Sequence, residues 1–187
     1  MMRLPPLKEP QLTESQCKII ESIKKGPRGD IPMTVPFGGW LSAGNIGDAI
    51  QNLGASLRYE TILDEKVKEF AICIVGHHYK TKFEFAYHER LAIKSGLSAE
   101  IINEIKNGFA SSLIDKRLDL TRQISMQLLE MHSITDELYQ QGFDEFGEQG
   151  MIELVSLVGY YCLVSLTLNA FKVPIDKDME DPFPDEK

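Results

Sequence analysis

Residues 69–96 read EFAICIVGHHYKTKFEFAYHERLAIKSG, and this stretch decides the fold that we predict for the chain. It contains three of the four histidines and is typical of two helices separated by a polar break. On the second helix, one face is traced by the i, i+3, i+4, i+7 and i+8 positions Glu84, Tyr87, His88, Leu91 and Ala92. Because this face ends in apolar residues, we expect it to point inward. Burying a carboxylate and an imidazole is costly unless they are paired or used, so Glu84 and His88 become the first functional candidates.

The composition sets the class of protein and narrows its partners. The chain has 187 residues, 43% of them apolar, which suits one globular domain with a hydrophobic core. Its formal net charge of −8 disfavours a nucleic-acid partner, since such binding needs clustered Lys and Arg. Cys17, Cys73 and Cys162 are scattered and form no C-x-x-C, a pattern typical of a reducing cytosol. The start, MMRLPPLKEPQ, has no apolar secretory segment, so we expect a cytoplasmic protein.

Start and stop signals mark eight candidate helical segments, from which we predict a fold of about seven helices, and no segment alternates at period two. The candidate segments are about 13–25, 45–58, 65–75, a segment that contains Glu84 and His88 and ends at about 95, 98–107, 114–132, 135–141 and 151–171. Residues 27–43 are rich in Pro and Gly and are predicted to form a loop, in which Phe37 and Trp40 either line a pocket or cover the core. The sequence therefore predicts a single all-α domain over residues 1–187. Its core covers about 35–173, with a loose N-terminal segment, 1–12, and an acidic tail, 174–187, that is loose or reaches a neighbour.

The candidate residues differ in how strongly the pattern favours a function. His88 is the strongest, because histidine titrates near neutrality and can move protons, although a core histidine bonded to a backbone carbonyl is the alternative. Glu84, one turn earlier, could orient His88 or form an ordinary surface pair with it. Glu69 lies next to the edge of the apolar face of its helix and is weaker by itself. His77 and His78 are adjacent and point about 100° apart on a helix, so they rarely bind one ion and no metal site is predicted.

At these positions the chain resembles the carboxymuconolactone decarboxylase family, which includes the alkylhydroperoxidase D-like proteins. The shared pattern is an acid in a helix, a Gly-x-His step, an aromatic-Glu-aromatic-x-x-His run and an Ala-x-x-x-Gly-Leu run, carried by Glu69, Gly76, His78, Phe83, Glu84, Phe85, His88, Ala92, Gly96 and Leu97. The flanking segments PFGGWL and LVGYYCLVSLTLNAF are also similar, so the resemblance covers about residues 35–173. It implies an alkylhydroperoxidase D-like helical fold that assembles as a homo-oligomer.

The resemblance also implies a reaction. In the peroxidase branch of the family two cysteines precede the histidine, and here those positions hold Thr81 and Glu84, while His88 and the relay acid Glu69 are kept. The chain therefore resembles the decarboxylase side, which removes CO₂ from a small lactone acid without a metal or organic cofactor. His88, Glu84 and Glu69 are the implied catalytic residues. We assign the substrate pocket to His78, Thr81, Tyr87 and Trp40.

Two other functions stay open, an antioxidant peroxidase and a non-catalytic helical oligomer that binds a ligand. The peroxidase is disfavoured because a disulfide relay needs a thiolate.

The last predicted helix could be mistaken for a membrane span. Residues 154–171 contain no charge over 18 residues, which is about the length of such a span. Its polar residues and the absence of a flanking basic cluster argue against a membrane. We expect it to be buried and to extend into a subunit interface.

Overall fold

Every regular element is helical in the residues that the computed structural model describes, which are 2–34, 36–109 and 115–184, apart from the Glu9 side chain. The α-helices are α1 Glu14–Lys25, α2 Phe37–Leu41, α3 Asn45–Tyr59, α4 Glu65–His78, α5 Lys82–Lys94, α6 Ala99–Lys106, α7 Lys116–Met131 and α8 Asp136–Ala170. A single 3-10 turn, Glu9–Gln11, precedes them in this part of the chain. The predicted all-α class is confirmed.

Local hydrogen bonds explain where the helices begin. Thr13 and Gln16 form a reciprocal capping box at the start of α1, as the sequence predicted. Asp64 accepts from the backbone N–H of the third helical residue of α4 at 2.9 Å, and Ser98 does the same for α6 at 3.4 Å. Asp115 caps α7, whose predicted start at residue 114 lies outside the described residues. These starts depend on side chains within three residues, which is why the sequence locates them.

The structure differs from the predicted helices in two places. A short helix, α2, lies within the segment that was predicted to be a loop. The helices predicted at 135–141 and 151–171 are joined in α8, where only Gly147 leaves the helical conformation, with φ 71° and ψ 176°. Gly142 and Gly150 are helical, and their lack of a side chain lets other atoms pack closely against them. A Cβ at Gly142 would lie 2.6 Å from the Met151 Sδ, and one at Gly150 would lie 2.9 Å from the Phe146 Cβ.

The chain divides into two compact units. One comprises Met1–Glu60 with Thr167–Val173, and the other comprises Thr61–Leu166 with Pro174–Lys187. The first unit contains α1, α2 and α3, and its core consists of Ile19, Ile20, Ile23 and Leu41 with the partly buried Leu7, Leu12, Ile31 and Met33. Folding as a single domain stays a prediction.

In the second unit, α4 is the central helix. All residues from Val67 to Gly76 are buried, so this helix is covered on every side. It packs against α5, α6 and α7. Every predicted site residue except Trp40 belongs to this unit.

Residues 178–183 of the acidic tail, which was predicted to be loose or to reach a neighbour, lie against α5 of the same chain. Asp178 pairs with Arg90 and Asp181 pairs with Lys82, each at 2.8 Å. Phe183 packs edge-on against Phe85 with ring centroids 4.9 Å apart. We call residues 178–183 the C-terminal strap.

Helix α8 combines a buried face with an exposed apolar one. By length and composition it is the one helix among the described residues that could cross a membrane, and half of its most apolar window is buried within the chain. A core helix of a soluble protein has the same properties. Its exposed face is a stripe at helical spacing, formed by Ile152, Val155, Gly159, Leu163 and Leu166.

Two helical glycines should respond to alanine in opposite directions. A Cβ at Gly47 in α3 would collide with the backbone carbonyl of Trp40, which cannot move aside as a side chain could. We expect Gly47→Ala to lower the free energy of unfolding by about 1–3 kcal/mol. Gly159→Ala is the matched control, since its Cβ meets nothing within 4 Å and alanine stabilises a helix by about 0.5–1 kcal/mol. Equal effects in urea unfolding would contradict the predicted contact.

Candidate active site

His88 lies between two carboxylates in the interior of the second unit. Its Nδ1 is 2.6 Å from Oε2 of Glu69, and its Nε2 is 3.1 Å from Oε1 of Glu84. The exposed fractions of Glu69, Glu84 and His88 are 1%, 5% and 4%. Helix α4 supplies the first acid, and α5 supplies the other two residues one turn apart. We call these three residues the triad.

The close approach of α5 to α4 brings the triad together. A Cβ at Gly76 would lie 3.4 Å from the backbone N, Cα and Cβ of Phe85, so glycine lets the first turn of α5 contact α4. The chain reverses between the helices through Lys80, which has φ 49°. The Thr81 N–H then donates to the Gly76 carbonyl at 2.9 Å and fixes the start of α5.

Glu69 is buried more deeply than its position in the sequence suggested. It was expected next to the edge of an apolar face, where acids are often exposed. Because α4 is covered on all sides, the Glu69 carboxylate is buried and contacts His88 instead. A buried carboxylate requires such a partner, since burying an isolated charge is very costly.

The surroundings of His88 determine its protonation. Burial by itself lowers its pKa, but the charges and hydrogen bonds of Glu69 and Glu84 act in the opposite direction and the pKa is raised above its ordinary value. In the imidazolium form both ring N–H groups donate, one to each carboxylate. The site therefore holds a proton that a free histidine would have released at the same pH.

Two tyrosines contact the His88 ring edge-on. Tyr161 of α8 is buried, and its ring centroid is 5.2 Å from that of His88. Tyr87 lies at the same distance, but it is 45% exposed and stacks on Phe83. The sequence placed Tyr87 on the inward face, whereas the structure leaves it on the solvent side. The sequence analysis did not name Tyr161 as a site residue. The only signal for it was the family resemblance of the segment LVGYYCLVSLTLNAF, which contains it.

The remaining pocket candidates lie in different surroundings. Thr81 is 1% exposed, and its Oγ1 has no hydrogen-bond partner among the described residues. His78 is exposed and lines a cavity of about 220 Å³ with Ile74, His77, Lys80, Met126 and Leu129, a cavity whose lining includes no member of the triad. Trp40 is buried in the other unit, and its ring centroid is 5.6 Å from that of Phe37. The pocket roles of these residues stay predictions.

Thiol and metal chemistry find little support in the described residues. Cys73 follows Glu69 by one turn, and burial raises the pKa of its thiol well above the ordinary value, reinforced by the charges of Glu69, Glu89 and Glu84. A thiol in this environment stays protonated and is a poor nucleophile. In the part of the chain that the structure describes, no group of three or more His, Cys, Asp or Glu side chains could hold a metal ion.

The basic residues of α5 lie away from the triad. On a helix that turns about 100° per residue, Lys82 and Arg90 point about 120–160° away from Glu84 and His88. Both are engaged by carboxylates of the C-terminal strap. Neither cation is therefore placed at His88, where a substrate carboxylate would need one.

Comparison with known proteins gives no family to which the chain can be assigned. No family model matches it, and no curated protein gives a significant match.

The geometry of the triad indicates what chemistry it can perform. A buried imidazole with a carboxylate at each ring nitrogen can hold a proton, release it from Nε2 and recover it through Glu84.

The protonation of His88 can be tested by NMR titration of its ring nitrogens. We expect a pKa above the ordinary value of about 6.5 and a lower pKa in Glu84→Gln and Glu69→Gln, because each substitution removes a neighbouring charge. Glu89→Gln is the matched control, since Glu89 pairs with Lys106. A raised folded-state pKa adds stability below about pH 6.5, which is lost as the pH rises through that pKa. A His88 that titrates like free histidine would contradict this arrangement.

Proposed function

We propose that the chain is a cofactor-free lyase of the carboxymuconolactone decarboxylase type, acting on a small carboxylic or lactone substrate. The observation that supports this function is the buried His88 with a carboxylate at each ring nitrogen. His88 is the proton donor, Glu69 fixes its Nδ1–H, and Glu84 shares the proton on Nε2. The family resemblance of residues 69–97 favours the same reaction.

The triad can perform the proton transfer that decarboxylation requires. As CO₂ leaves, the electron pair of the broken C–C bond stays on the substrate as a dienolate. His88 donates the Nε2 proton to carbon, and the neutral imidazole then recovers a proton from water by way of Glu84. A positioned acid of this kind contributes about 10²–10⁴-fold to the rate.

The contacts of His88 favour one side for substrate entry. Tyr161 is buried, whereas Tyr87 is 45% exposed and its ring lies edge-on to that of His88, so the side of Tyr87 is the one nearer to solvent. The two carboxylates and one imidazolium carry a net negative charge, so the substrate carboxylate would bind away from Glu84.

An alkylhydroperoxidase-like peroxidase is the less supported alternative. Thr81 and Glu84 occupy the positions at which the resemblance expects thiols, and neither can form a disulfide. Cys73 lies near the triad, but burial keeps its thiol protonated. A non-catalytic oligomer that binds a ligand would retain the same triad without turnover, and only an activity measurement separates it from the lyase.

We also propose that the protein is a cytoplasmic homo-oligomer. The exposed stripe of α8 carries no charge, so a second copy of the same stripe would meet no like charge across a two-fold contact. Exposed apolar stripes of this kind are typical of protein interfaces.

The lyase proposal is tested by measuring CO₂ release from carboxymuconolactone and from a panel of small lactone and β-keto acids. We expect His88→Gln to lower kcat by about 10²–10⁴-fold, because the proton donor is lost. A variant with Cys17, Cys73 and Cys162 replaced by alanine should retain activity. Circular dichroism checks folding, since His88→Gln leaves two buried carboxylates without an imidazolium. No turnover by the wild type across the panel would overturn the lyase, and loss of activity in a folded cysteine-free variant would favour the peroxidase.

The oligomer is tested by light scattering in detergent-free buffer. We expect a mass above that of one chain, and we expect Leu163→Glu to dissociate the assembly because it places a charge in the α8 stripe. Ile93→Glu is the matched control, since Ile93 is an exposed apolar residue on α5, outside the stripe. A monomeric wild type would contradict the interface, and recovery only from membranes would contradict both proposals on partners and location.

A further inference from the structure

The first turn of α5 contains a capping sequence that the structure does not use. Thr81-x-x-Glu84 has the same spacing as Thr13-x-x-Gln16, which forms both bonds of a capping box in α1. In α5 the Thr81 side chain makes no capping bond, and its buried Oγ1 has no hydrogen-bond partner in the described part of the chain. The Glu84 carboxylate bonds forward to His88. The acid that would close the box is therefore committed to the triad.

The C-terminal strap contacts this same turn. Oδ2 of Asp181 lies 2.8 Å from Nζ of Lys82, the first residue of α5. Oδ1 of Asp181 accepts the N–H of Phe183 at 2.9 Å, which fixes the turn that presents the Phe183 ring to Phe85. Lys82 and Phe85 lie on either side of Glu84 in the sequence.

These contacts offset an unfavourable charge in the first turn of α5 and add apolar contact to it. A lysine in the first turn is unfavourable beside the positive end of the helix dipole, and the Asp181 carboxylate neutralises it. The pair is about one-third exposed, so it contributes little alone. The Phe183 ring adds apolar contact with the buried Phe85, and the Lys80 ammonium lies over the Phe183 ring, 4.8 Å from its centroid.

We propose that Asp181 and Phe183 of the C-terminal strap fix the first turn of α5 in place of its capping box and thereby hold Glu84 against His88. This inference rests on the roles that the proposed function gives to Glu84 and His88. Asp181 and Phe183 are positioning residues, since they contact Lys82 and Phe85 and not the triad itself. The strap thus frees Glu84 for chemistry by replacing its local structural role.

The strap contains its own control. Asp178 carries the same charge as Asp181 and pairs with Arg90 at the same distance of 2.8 Å, but Arg90 lies two turns further along α5. Removing the Asp178 charge changes the net charge of the strap by the same amount as removing that of Asp181. Asp178→Asn therefore removes a strap charge without changing a contact of the first turn of α5, although its ion pair is more exposed than that of Asp181.

The experiment compares the full-length wild type with Asp181→Asn/Phe183→Ala and Asp178→Asn. Two quantities are measured, the His88 pKa by NMR and the hydrogen exchange of the amides of residues 83–86. In the double variant we expect the His88 pKa to fall toward that of Glu84→Gln and these amides to exchange at least tenfold faster. Asp178→Asn should match the wild type in both quantities. Asp181→Glu, which keeps a carboxylate at this position, should also match the wild type in both.

The outcomes decide the proposal without a substrate. An unchanged His88 pKa in a folded double variant would overturn it, and so would an equal shift in Asp178→Asn. If the double variant does not fold, Asp181→Asn alone provides the same comparison. If no lyase activity is found but the His88 pKa shifts as expected, the positioning role stands and the proposed reaction fails. Lyase activity together with an unshifted His88 pKa would support the reaction and contradict the positioning role.

Discussion

The second unit depends on the burial of His88 between Glu69 and Glu84. Two carboxyl groups in an interior must be paired, hydrogen-bonded or protonated, and the His88 ring presents one nitrogen to each of them. This requirement fixes the distance and rotation of α5 relative to α4. The glycine at position 76 satisfies it by allowing backbone contact with the first turn of α5.

The same arrangement explains why α5 begins in an unusual way. Glu84 has one carboxylate and two competing uses, closing the first turn of its helix or bonding to His88. The structure selects His88, and the hydroxyl of Thr81 is left buried without its usual role. Proteins often break a local rule at a functional site and compensate for it elsewhere. Here the compensation that we infer comes from the C-terminal strap.

Whether a feature could be predicted from the sequence depends on how far apart in the chain the interacting residues lie. Thr13, Asp64 and Ser98 cap their helices through neighbours three residues away, so their helices were placed well. Gly142 and Gly150 fall in the gap between two predicted helices, but both lie inside α8 and allow close contacts with the Met151 and Phe146 side chains. Tyr87 was assigned inward from periodicity alone, although the face that α5 buries is set by its packing on α4.

The sequence by itself determined most of the helices, the caps at Thr13, Asp64 and Ser98, and the one-turn spacing of Glu84 and His88, because all of these depend on hydrogen bonds and side chains within four residues. Only the tertiary structure decided that Glu69 joins them from 19 residues away and that Asp181 reaches Lys82 across 99 residues. Contacts of that range depend on how whole helices pack. Packing is set by the summed shape and burial of many side chains, and no spacing along the chain records it.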